Sequence, residues 1–267
     1  MDRVAEIHDS TFKLLKIIKG ICEKHGIVYY LDAGTLLGAV RHKDFIPWDD
    51  DADLAMRREE YEKFLAVAHE LPEPYKLVFP NEYGGYFFDF VPRIVDMSFP
   101  LREETEEDRA QNNYQNRLAV DIFILDELPA NALAAKMLIF RQKMIYGYAM
   151  AHRCGKPKNK YTFSEQMKVT VLKTIGKTKK LDKIIKMQEK LSVKYRGRGG
   201  DRYYLSNALM TDIDRLFFDR SAYTETVMLP IRDELFSCPS GWDHILTKFY
   251  GDYMTPPKEE DRRPLHI

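Results

Sequence analysis

The chain is 267 residues long, which fits one large domain or a domain with an appendage and leaves room for a sizeable core. At 45% hydrophobic and 31% charged residues it has the composition of a soluble globular enzyme. Its formal charge of zero, from 41 basic and 41 acidic residues, singles out no class of partner; its three scattered cysteines, Cys22, Cys154 and Cys238, form no C-x-x-C pair and speak against a zinc site or a disulfide framework and for a reducing compartment.

The first residues are charged, unlike a signal peptide. Over residues 3–25 Val4, Ile7, Thr11, Leu14, Leu15, Ile18, Ile21 and Cys22 recur at helical spacing, which predicts an amphipathic helix closed by Gly26. Residues 27–31 are β-branched and aromatic and read as a strand. Ala33-Gly34-Thr35 then turns into a short helix through Val40. A loop over 41–49 leads to an alternating strand at 51–56 and a helix at 57–71, stopped by Pro72 and Pro74. Strands are expected at 75–79 and 86–95, irregular chain at 99–116, and a buried central strand at 118–125 that is apolar except for Asp121.

Beyond Pro129 the pattern turns helical, with helices expected at 130–150, 164–175 and 178–195 and a Gly/Arg break at 196–200. The strongest apolar patch, 132–140, is interrupted by Lys136, and no segment is long enough to span a bilayer. Short strands at 202–209 and 224–230, a helix at 242–250 capped by Gly251 and a loosely ordered Pro- and charge-rich tail complete the chain. No internal repeat is visible. The division that follows is a catalytic core over 1–128, a helical basic part over 129–200, and a C-terminal part over 201–267 that packs back on the core.

The acids carry the chemistry. Asp51 and Asp53 share a face if they lie on one strand, and two carboxylates that close repel unless a cation sits between them. Asp49 has the same parity, whereas Asp50 points elsewhere. Asp121 is expensive to bury unless it is paired or bound to metal. A neighbouring strand that brought it beside Asp51 and Asp53 would make a Mg²⁺ site for phosphoryl transfer. Other readings stay open: a solvated acidic turn at 49–53, or Asp121 as a helix cap or salt-bridge partner. A calcium loop matches Asp49, Asp51, Asp53 and Glu60 but has Leu54 where the sharp turn needs Gly. A haloacid-dehalogenase-type motif fails at Ala55.

Gly34 and Thr35, between a strand and a helix, can present a hydroxyl and backbone N–H groups to a phosphate, although such a turn is also an ordinary connection. Arg41, His42 and Lys43 place cations in the following loop, and Arg suits bidentate phosphate contact. Trp48 can stack on a base or a choline-like cation, or be a buried strand-entry residue. Arg93 either reaches the same pocket or forms a structural ion pair.

Four blocks of sequence have one further implication. They are Gly34-Thr35-Leu36-Leu37-Gly38-Ala39-Val40-Arg41-His42, Phe45-Ile46-Pro47-Trp48-Asp49-Asp50-Asp51-x-Asp53, Val120-Asp121-Ile122-Phe123-x-Leu125-Asp126 and Tyr250-Gly251-Asp252-Tyr253-Met254-x-Pro256-Pro257. In them the chain resembles the LicD family, which includes fukutin-related protein; it departs at Ala52, where Ile is frequent, and at Ile124, where Pro is usual. The resemblance implies an α/β (α+β) nucleotidyltransferase-like fold, a mixed β-sheet flanked by helices with a helical C-terminal part. It implies a Mg²⁺- or Mn²⁺-dependent phosphotransferase that moves a phospho-alcohol, such as phosphocholine or ribitol phosphate, from a CDP-linked donor to a hydroxyl of a cell-surface or lipid-linked glycan, as in lipopolysaccharide or teichoic acid biosynthesis. Asp51, Asp53 and Asp121 would be its carboxylate triad, with Asp49 adjacent. For such a transfer one carboxylate, Asp121 foremost, can take the hydroxyl proton, or metal coordination makes a dedicated base unnecessary.

Residues 156–199 hold 14 Lys or Arg against 3 Asp or Glu. A solvated helical face, docking on an anionic membrane surface and nucleic-acid binding are the three readings, the last without the aromatic interleaving it requires. The expected setting is the cytoplasm, with peripheral contact at the inner membrane face as one option. Two competing functions remain: an Asp-x-Asp glycosyltransferase that uses a sugar nucleotide, and an inactive nucleotide- or glycan-binding protein.

Overall fold

The computed structural model describes residues 3–154, 163–208, 216–264 and 267. The basic residues Lys156, Lys158 and Lys160 and the end of the strand expected at 202–209 lie outside them. The N-terminal helix α1 (Arg3–His25) buries Ile7, Leu14, Leu15, Ile18 and Cys22 in the main core, and Gly26 ends it at φ +62°. That positive φ is the left-handed turn a glycine adopts without a Cβ penalty. A short strand β1 (Tyr30–Leu31) and the helix α2 (Ala33–Arg41) follow, then β2 (Asp53–Arg57), α3 (Arg58–Val67), β3 (Tyr75–Val78) and β4 (Arg93–Pro100). After α4 (Glu106–Ala110) comes the long strand β5 (Arg117–Glu127). Three helices, α5 (Ala132–Ala149), α6 (Phe163–Lys177) and α7 (Leu181–Ser192), precede β6 (Arg202–Leu205), β7 (Phe217–Asp219), the hairpin β8 (Thr226–Ile231) and β9 (Glu234–Pro239), and the helix α8 (Trp242–Tyr250).

The main sheet is mixed. Its path is β1-β2-β5-β4-β3, with β6 paired to the C-terminal end of β5 and β7 to β6. Among the described residues only β2 and β5 run parallel, and their register sets Asp53 opposite Asp121. Along β5 burial alternates: Leu118, Val120, Ile122 and Ile124 are buried in the main core, while Ala119, Asp121 and Phe123 are half-buried on the other face. Strand alternation with period two therefore separates a core face from a site face.

Several elements differ from expectation for identifiable reasons. The strand expected at 86–95 starts only at Arg93, because Phe87 and Phe90 turn away to pack with Ile145, Ala149, Leu181 and Ile184 of the helical layer. The expected irregular stretch 99–116 contains α4, nucleated by a capping box between Thr105 and Asp108. The strand expected at 27–31 is paired only at Tyr30 and Leu31. The strands β7 and β9 were not foreseen. A buried Arg58 binds both oxygens of Asp126 at 2.9 and 2.6 Å and Glu189 at 2.5 Å, which pins α7 to the sheet. Among the described residues no helix is long and apolar enough to cross a membrane.

Candidate active site

The start of β2 is fixed from both sides by residues that precede the acids. The Asp32 amide donates to the Asp53 carbonyl at 3.0 Å, and the Asp53 amide donates to the Thr35 hydroxyl at 2.8 Å. The Asp121 amide donates to the Ala52 carbonyl at 2.9 Å. Two backbone bonds and one to the Thr35 hydroxyl thus hold Asp53 and Asp121 side by side on the site face.

The acidic loop before them is clamped by two helices. His8 of α1 donates from Nε2 to the Asp49 carbonyl at 2.7 Å. The Asp49 carboxylate lies against Gly34, so close that a Cβ there would stand 2.5 Å from Oδ2. Gly34 is therefore small to admit Asp49 at the start of α2. Asp50 is buried and accepts from the Ile267 amide at 3.0 Å. Asp51 is exposed at the mouth.

The electrostatics are those of crowded anions. Burial pushes the Asp53 carboxyl well above the usual carboxylate range, and Asp51, Asp121, Asp32 and Asp49 push it further. Burial raises Asp121 to about 6, against the opposing pull of Arg93. Arg93 is buried and forks onto Asp121, Nε to Oδ1 at 2.7 Å and Nη2 to Oδ2 at 2.9 Å. Its outer edge is gripped by Asp89, at 3.0 and 2.6 Å, and it also donates to the Tyr83 hydroxyl at 3.3 Å. Of the two readings of Arg93, the geometry is that of an ion pair that orients Asp121.

The cationic loop is tied elsewhere. Arg41 donates to the Tyr253 carbonyl at 2.6 Å and to His42 Nε2 at 3.0 Å. Trp48 is half-buried, with His42 against it edge-on and the Arg262 guanidinium 5.3 Å above its ring. Arg41, His42 and Trp48 thus gather under the C-terminal segment, next to the acid loop rather than on the Asp53–Asp121 pair.

Three participants were missed from sequence. Asp89 completes the Arg93 fork; an acid amid Phe88 and Phe90 was its signal. Asp32 is fully buried, its Oδ2 has no partner among the described residues, and burial lifts it to about 6. Tyr250 lies in the field of Asp53, Asp32, Asp49 and Asp51, which with burial raise its hydroxyl far above the ordinary value. The block Tyr250-Gly251-Asp252-Tyr253 was visible, but nothing in it indicated that α8 ends beside the acids.

A divalent cation suits this donor set chemically: hard carboxylate oxygens, an excess of negative charge, and carboxyls held above their ordinary range by burial and by one another. Among the described residues no three His, Cys, Asp or Glu side chains form a ready-made ligand cage. A two-carboxylate seat is nevertheless the pattern for Mg²⁺, which takes its remaining ligands from water and substrate phosphates.

Residues 26–152 match the nucleotidyltransferase domain of the LicD/FKTN/FKRP family. The chain is 30% identical, over 95% of its length and 92% of the relative's, to the lipopolysaccharide cholinephosphotransferase LicD of Haemophilus influenzae. This chain belongs to the LicD family. A shorter stretch of 45 residues is 47% identical to the human ribitol 5-phosphate transferase FKRP, covering 17% of this chain and 9% of that one. An uncharacterized protein of Rickettsia typhi, RT0683, is 43% identical over 58 residues, 22% of this chain and 19% of its own. As a LicD-family member the chain is a phosphotransferase, with the mixed α/β architecture expected for it.

Proposed function

We propose that this LicD-family chain transfers a phospho-alcohol, phosphocholine or a close analogue, from a CDP-linked donor to a glycan hydroxyl in the cytoplasm. The observation that carries the reading is the register pairing of Asp53 with Asp121, with Asp51 at the mouth and Arg93 locked on Asp121. Asp53 and Asp121, with Asp51 and Asp49 nearby, would hold Mg²⁺ or Mn²⁺, which when bound neutralises phosphate charge and aligns the attacking and leaving oxygens.

The residues of the chain do the rest. The Thr35 hydroxyl accepts from the Asp53 amide and keeps its own proton to donate, while Gly34 and the start of α2 offer N–H groups on the same side. Arg41, His42 and Trp48, gathered under residues 253–262, form the flank assigned to the nucleotide or the alcohol. The acceptor oxygen forms a bond to the distal phosphorus of the donor, the bond to the bridging pyrophosphate oxygen breaks, and CMP leaves. The hydroxyl proton passes to Asp121. The Arg93 fork holds that carboxylate in place while each oxygen keeps a lone pair free.

Incubation of the purified protein with CDP-choline, CDP-ribitol and UDP-sugars, a glycan acceptor and Mg²⁺ or Mn²⁺ tests the reading. Release of CMP with a phosphorylated glycan supports it. Release of UDP instead points to a glycosyltransferase, and donor binding by calorimetry with no product points to an inactive binding protein.

A further inference from the structure

The helical part presents a surface that the reaction above does not use. On α5, Leu133, Met137 and Phe140 follow each other at helical spacing and are 67%, 51% and 63% exposed. On α6, Met167, Val171 and Ile175 do the same at 57%, 58% and 38%. Each row is a stripe along one helix face, since residues three and four apart are neighbours. The two helices touch where a Cβ on Gly147 would meet the Leu172 side chain. Soluble proteins scatter single apolar residues over their surface; ordered rows of large ones mark an interaction face.

The charge around these stripes is predominantly basic, with Glu165 the one acid in the sequence of α5 and α6. α5 carries Lys136, Arg141 and Lys143 and no acid, and none of the three is in an ion pair among the described residues. A cleft of about 580 Å³ between α5 and α7 repeats the pattern: Met144, Met187 and Leu191 line it beside Arg141, Lys190 and Lys194. Residues 128–199 hold 18 Lys or Arg and 3 Asp or Glu, so the remainder of this neutral chain carries the compensating negative charge. Such segregation turns the helical part toward an anionic surface at a distance, and apolar side chains then anchor it.

We propose that α5 and α6 dock the protein on the surface of an anionic lipid bilayer, with Leu133, Met137 and Phe140 entering the headgroup layer and Lys136 and Lys143 against lipid phosphates. A protein partner would be expected to meet an apolar face rimmed by both signs of charge in comparable number; here basic residues outnumber acids by 18 to 3 over residues 128–199. Nucleic acid would leave the apolar stripes uncovered. The assignment is independent of the donor and acceptor chosen above, because none of these residues lies on the site face of the sheet.

Co-sedimentation of the full chain with vesicles tests it. Binding is expected to vesicles of phosphatidylcholine doped with phosphatidylglycerol and not to phosphatidylcholine alone, and it is expected to weaken with salt. Neutralising Lys136→Gln and Lys143→Gln lowers the partition coefficient by about fivefold each. Leu133→Ser, Met137→Ser and Phe140→Ser together abolish retention while leaving the melting temperature and CMP release from a soluble donor unchanged. Equal retention on neutral and anionic vesicles, or none on either, overturns the proposal. So does a dimer in sedimentation equilibrium that the three serine substitutions dissociate, which would assign the stripes to a second copy. Salt-sensitive binding of RNA that the serine substitutions leave untouched, with no vesicle binding, overturns it as well.

Discussion

Asp53 and Asp121 stand opposite each other on the only parallel strand pair among the described residues of the sheet, each the sole acid that its strand places on the site face at that level. Two half-buried carboxylates in that position are an electrostatic cost, and Asp51, Asp49 and Asp32 add to it. Folding tolerates the arrangement because Arg93 compensates one of the two. The other is the one the proposed function gives to a cation.

Removing the uncompensated charge relieves repulsion. Asp53→Asn is expected to melt no lower than the native chain without divalent ions. Mg²⁺ or Mn²⁺ should raise the melting temperature of the native chain and leave that of the variant where it is. Differential scanning calorimetry with and without the ion reads both effects; a variant that is strongly destabilised without metal would show that Asp53 has a structural role instead.

Arg93 is the reverse case. Arg93→Leu leaves Asp89 and Asp121 buried and unpaired, and breaking a buried pair from one side costs on the order of 3–5 kcal/mol. Denaturant unfolding measures the loss. Asp89→Asn is milder: the guanidinium keeps Asp121, so stability should fall less and turnover should fall through poorer orientation of that acid.

The two glycines of α2 separate site from scaffold. At Gly34 a Cβ meets the end of a movable side chain, Asp49, at 2.5 Å; at Gly38 it meets the backbone carbonyl of Asp44 at 2.6 Å. Gly34→Ala should fold and lose activity as the acid loop shifts. Gly38→Ala should lose about 1–3 kcal/mol of stability, the usual cost of overpacking. Paired melting and turnover assays distinguish them; equal stability losses in both would contradict the division.

Asp32 gives the protein a pH dependence of defined sign. Its folded carboxyl is raised from 3.8 to about 6, so the folded chain keeps a proton that the unfolded chain has released. The stability this proton brings is present at low pH and is lost as pH rises through about 6. Asp32→Asn should therefore flatten the stability profile in that window, gaining up to ~3 kcal/mol over the native chain above it and little below. Unfolding curves across the range check this; a profile as steep as the native one would exclude Asp32 as its source.

Much of this was readable because the relevant signals are local. The period of α1 and the parity of Asp51 and Asp53 needed no partner to be seen, and Gly26 and Gly251 marked helix ends where the chain adopts φ +62° and +67°. What stayed hidden depends on residues distant in sequence. The hairpin β8–β9 turns at Arg232, φ +57°, a residue held in that conformation by Asp9 and Asp44 rather than by any turn preference of its own. Phe87 and Phe90 looked like strand residues until the helical layer claimed them. The partnership of Asp89 with Arg93, and the approach of Tyr250 to the acids, arise only once β4 and α8 are in place.

The central claim is that Asp53 and Asp121 act as one unit on a CDP-linked donor. CMP release from the preferred CDP-alcohol, measured with Mg²⁺ for the native chain, Asp53→Asn and Asp121→Asn, tests it most directly. The account predicts background rates for both variants at native-like secondary structure. Near-native turnover in either one would contradict it.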